Sequence, residues 1–85
     1  MSNVPEHADT ARGPHFELWH LGSGSVIHTY PTEASALAFV RDVLVVAGHD
    51  AASKFRLTFS DARGRTTTIA EGTDLVRRVL EDRVL

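Results

Sequence analysis

Few side chains here are of a kind and spacing that could do chemistry. Five histidines stand among 85 residues, and no cysteine accompanies them. Thiol catalysis, disulfide scaffolds and cysteine-based zinc sites are thereby excluded. His20 and His28 fall in neighbouring segments that could meet across a hairpin, but two imidazoles do not complete a metal site and no pair is spaced i, i+4 on a helix. Gly22-Ser23-Gly24-Ser25 lacks the Lys and the following helix of a phosphate cradle, and it lacks the Gly-x-Ser-x-Gly of a nucleophile elbow. Glu17, Glu33, Asp42, Asp50, Asp61 and Glu71 fit caps, turns and exposed faces rather than a matched acid–base pair. The expectation is a chain with no catalytic residues, no cofactor and no metal. Three arginines, Arg56, Arg63 and Arg65, share a segment with Thr58, Thr66 and Thr68 and could form a nucleic-acid face with a nearby aromatic residue. A net charge of −2 and a pI near 6.2 weigh against that use.

The elements that would position these residues follow from periodicity. Residues 1–14 carry no apolar period and hold Pro5, Gly13 and Pro14, which predicts a disordered tail before a single domain over 15–85. His15–Leu21 and Ser25–Tyr30 are rich in β-formers and are split by a glycine turn, so they predict a hairpin with Gly24 at a positive φ. Pro31 stops the strand, Thr32 is a good N-cap, and the helix runs over Glu33–Ala47 to a C-cap at Gly48. Leu37, Val40, Leu44 and Ala47 form its inward stripe. His49–Ser53 reads as a loop.

Lys54–Ser60 alternates strictly, with Phe55, Leu57 and Phe59 on one face. Asp61–Gly64 turns the chain into a return strand, Arg65–Ala70, whose expected register sets Phe59 against Thr67 and Leu57 against Ile69. Thr73 caps a last helix whose stripe is Leu75, Val76, Val79 and Leu80, with Val84 extending it and Arg77, Arg78 and Arg83 toward its end. The fold class is α+β: two β-hairpins forming a four-stranded antiparallel sheet with helices packed on one face, in the order ββαββα. Phe16-Glu17-Leu18 resembles Phe55-Arg56-Leu57, and Phe39–Leu44 resembles Leu75–Leu80, a hint of internal duplication with offsets of 39 and 36.

Apolar content exceeds what one covered face requires. The first hairpin has large residues on both faces, and the first helix carries a second apolar flank beside its core stripe. Trp19, Leu21, Ile27, Phe39, Val43 and Val46 are therefore the candidate interface, with a homodimer or another protein as partner. No apolar run is long enough to span a membrane and no secretory leader is evident, so a cytoplasmic location is expected.

The run Phe16-Glu17-Leu18-Trp19, Gly24 and Tyr30-Pro31-Thr32-Glu33-Ala34 with Ala36-Leu37-Ala38 resembles short bacterial, actinobacterial-type ββαββ domain proteins of unknown function. The resemblance covers about Phe16 to Ile69, rests on capping and core residues, and implies the fold without assigning a site. The function expected is a small interaction module that self-associates, the alternatives being a nucleic-acid-binding module or a ligand-binding or enzymatic subunit with a pocket at a dimer interface.

Overall fold

The computed structural model describes residues 13–82. Most of the expected tail, together with Arg83 and Val84, lies outside the described residues. Strands β1 (His15–His20), β2 (Ser25–Tyr30), β3 (Phe55–Ser60) and β4 (Thr66–Glu71) form one antiparallel sheet in the order β2-β1-β3-β4. Helices α1 (Glu33–Ala47) and α3 (Thr73–Asp82) pack on one face of it, α1 over β1 and β2 and α3 over β3 and β4. The element order and the α+β class are those expected.

Local chemistry explains the boundaries. The Thr32 hydroxyl accepts the Ser35 amide at 3.1 Å, satisfying one free donor of the first turn of α1. At the other end Gly48 has φ 94° and ψ 178°, a conformation essentially reserved for glycine, and its amide donates to the Leu44 carbonyl at 3.0 Å. Residues His49–Ala52, expected as loop, instead make a single helical turn, α2. The turn buries Ala52 completely in the core, which a looser path would not do. Helix α3 starts at Thr73, and the amides of Leu75 and Val76 donate to the Gly72 carbonyl at 3.1 and 3.2 Å. The cap position is thus Gly72 rather than Thr73.

The core is the Leu18–Leu57 pair, opposite each other on β1 and β3, roofed by Ala36, Leu37 and Val40 of α1 and by Leu75, Val76 and Val79 of α3. Phe16 against Phe59 and His20 against Phe55 extend this face at ring-centroid distances of 5.0 and 5.8 Å. The register of the second hairpin differs from expectation at one point. Phe59 does oppose Thr67, but Leu57 opposes Ala70, because Ile69 is the extra residue of a β-bulge. The first hairpin has a matching bulge: Leu18 opposes His28 and Trp19 opposes Val26, leaving Ile27 extra. A two-fold axis between Leu18 and Leu57 therefore relates the hairpins, each bulged one step after its central leucine. The bulged isoleucines lie 42 residues apart and the leucines 39, so the halves match in space but need gaps in sequence.

Candidate functional site

The sheet face away from the helices is the richest in polar and aromatic groups. Alternation puts His15, Glu17 and Trp19 of β1 there, with Arg56, Thr58 and Ser60 of β3 beside them. β4 adds Thr66, Thr68 and Glu71, opposite Ser60, Thr58 and Arg56 respectively. The Trp19 indole N–H donates to the Thr58 hydroxyl at 3.1 Å. That hydroxyl in turn lies 3.4 Å from the Glu17 carbonyl oxygen and 3.5 Å from its Oε1. Arg56 donates from Nε to Glu71 at 2.9 Å, and its guanidinium carbon stands 6.0 Å from the Trp19 ring centre. At the opposite end Ser60 and Thr66 share a hydroxyl hydrogen bond of 3.0 Å.

This network buries groups that alternation alone assigns to solvent. Thr58 is only 2 % exposed and Ser60 only 5 %. The broad Trp19 ring accounts for Thr58, because it lies across the neighbouring strand with its polar edge on that hydroxyl.

The arginines expected to act together are separated. Arg56 sits near the start of β3 and is paired to Glu71, whereas Arg63 and Arg65 lie in the turn beyond its end. At a strand rise of about 3.3 Å per residue, that places them about 16 Å or more from Arg56. Both Arg63 and Arg65 amides donate to Asp61 Oδ1 at 2.9 Å, which fixes the turn. With Glu17 and Glu71 on the same face as Arg56, the sheet offers no continuous basic track of the kind that follows a phosphate backbone.

The six candidate interface residues also divide. Trp19 belongs to the open sheet face. Phe39, Val43 and Val46 stand at i, i+4 and i+7 on α1, on the opposite side of the sheet. They form a second stripe beside the buried Ala36, Leu37 and Val40. Phe39 touches the core through the edge of Phe55, 5.9 Å between ring centres, while Val46 is 85 % exposed. Leu21 and Ile27 are exposed at the first hairpin. Helix α3 covers the core stripe of α1 through Leu75, Val76 and Val79; of the second stripe, Val43 is half-buried against the core, contrary to its expected place in an open interface, and Phe39 and Val46 stay exposed.

One further feature was not singled out from sequence. Arg78 of α3 pairs with Glu33 of α1, closing an open cleft of about 460 Å³ that Ala34, Leu37 and Glu81 also line. The rings of His28 and Tyr30 stand tilted at 4.6 Å and His20 meets Phe55 edge-on, so the two histidines that could have met across the hairpin have separate partners. Burial raises the Tyr30 phenol above its ordinary value. Among the described residues no group of three or more His, Asp or Glu is placed to hold a metal ion, and no helix is long and apolar enough to cross a membrane.

No family model, curated protein or solved structure matches the chain.

Proposed function

We propose that this chain is a small cytoplasmic interaction module that associates with a second copy of itself through α1. The observation that carries the reading is the second apolar stripe, exposed Phe39 and Val46 with half-buried Val43 between them, on a helix whose first stripe is already consumed by the core. A stripe of this spacing is what one helix offers another. Two copies joined about a two-fold axis would bring like stripes together, the commonest closed arrangement. A net charge of −2 imposes little repulsion on such a pair.

Sedimentation equilibrium over a range of micromolar concentrations tests the reading. The expected result is a mass that rises above 9.3 kDa with concentration, and Val46→Glu should return it to the monomer with the fold intact. A mass fixed at the monomer value throughout overturns the proposal.

A further inference from the structure

The partners of His15 are both acceptors. Its Nδ1 lies 2.9 Å from the Gly13 carbonyl oxygen and its Nε2 lies 3.3 Å from Glu17 Oε2. A carbonyl and a carboxylate oxygen can only accept, and a neutral imidazole carries one N–H. Neutral His15 could satisfy either partner but would turn a lone pair toward the other. Only the doubly protonated ring donates to both.

The geometry points to a proton-operated latch: protonated His15 ties the Gly13 backbone to Glu17 on the open sheet face, and loss of one proton releases one of the two. Binding of the proton also sets the charge of that face. With it, His15 and Arg56 stand with Glu17 and Glu71 in balance; without it, one negative charge is in excess.

The nearest neighbours of His15 on the sheet are hydroxyl side chains. From β3, the residues beside His15 and Glu17 are Ser60 and Thr58; from β2, Thr29 opposes Glu17; and β4 contributes Thr66 and Thr68 beyond β3. Of the other charged groups, Arg56 is paired with Glu71 toward the far end of β3, while the turn beyond Ser60 holds Asp61, whose Oδ1 accepts two amides, and the exposed Arg63 and Arg65. No helix covers the face, and His20 and His28 belong to the other one. The His15 pKa is raised above its ordinary value, chiefly by the Gly13 bond and further by Glu17, against an opposing effect of burial. The latch therefore holds fully below the ordinary imidazole value of about 6.5 and opens as pH rises through the higher folded-state value.

The latch has a built-in reporter. Glu17 reaches Thr58, and Thr58 holds the indole of Trp19, the single tryptophan of the chain. The test is an NMR titration of the full chain that follows the His15 ring and the Gly13 carbonyl carbon, alongside Trp19 emission. The expected result is one shared midpoint above about 6.5. Glu17→Gln should lower the His15 midpoint, and His15→Gln should abolish the emission change. A His15 midpoint at or below the ordinary value, or a Gly13 carbonyl that does not titrate with it, overturns the latch and needs no variant. An emission profile unchanged in folded His15→Gln also overturns it.

Discussion

Two adjacent residues on β3 show how burial and chemistry diverge. Leu57 is fully buried against Leu18 at the centre of the core. Leu57→Ala should cost about 2–5 kcal/mol in a urea titration, the range for buried leucines, and much of what a domain of this size has. Thr58 faces the other way, yet it is as hidden, because Trp19 covers it. Thr58→Val keeps the shape but leaves the Trp19 N–H without its acceptor, so a loss of about 1–3 kcal/mol is expected. Combining it with Trp19→Phe should cost less than the sum of the two single changes, since the unpaired donor disappears. An additive double mutant would show that the hydrogen bond is inert. Alternation correctly assigned Thr58 to the open face; strand parity could not show that a neighbouring ring would shield it, because shielding depends on which strand lies alongside.

At the scale of elements, the legible parts were those with a repeating period or a distinctive cap. Helix α1 was read residue for residue because Thr32 and Gly48 bracket a clean stripe. The turn of α2 was missed because four residues are too few to display a helical period. The bulges were missed for a related reason: Val26 and Ile27 are both apolar, and so are Ile69 and Ala70, so neither pair reveals which residue is extra. Gly48 provides the sharpest test of these boundaries. A Cβ there meets nothing within 4 Å, so the loss in Gly48→Ala comes from backbone conformation alone. About 1–3 kcal/mol is expected by thermal or chemical unfolding. A neutral result would mean that the helix ends with a different backbone path.

For the molecule as a whole, the sequence revealed that apolar surface was in excess but not how it was distributed. Trp19 and the α1 stripe lie on opposite sides of the sheet, and only the pairing of β1 with β3 decides that separation. The two sides should respond differently to the same substitution. Trp19→Glu removes the cover from Thr58 and should lower the melting temperature strongly. Val46→Glu, at a position already in water, should leave the melting temperature within a few degrees while changing the sedimentation mass. Equal thermal losses in the two variants would show that the stripe is buried within the monomer. The relation between the hairpins adds a further point: each ββα half presents its own central strand to the other, so the chain contains within itself the kind of symmetric pairing that a dimer makes between chains.

The central placement of β1 beside β3 also governs how the domain reaches its folded state. Each hairpin can close locally, but a two-stranded hairpin alone is marginal in water. The sheet becomes stable only when strands 39 residues apart, such as those carrying Trp19 and Thr58, come together. That encounter carries the loop-closure entropy and should set the folding rate, in the slower range typical of mixed α/β domains rather than helical bundles. Truncating Leu18 or Leu57 should then slow refolding, whereas weakening the Thr32 cap should mainly speed unfolding. Because Trp19 finds its hydroxyl partner only across this seam, stopped-flow fluorescence would time the moment at which the two halves meet.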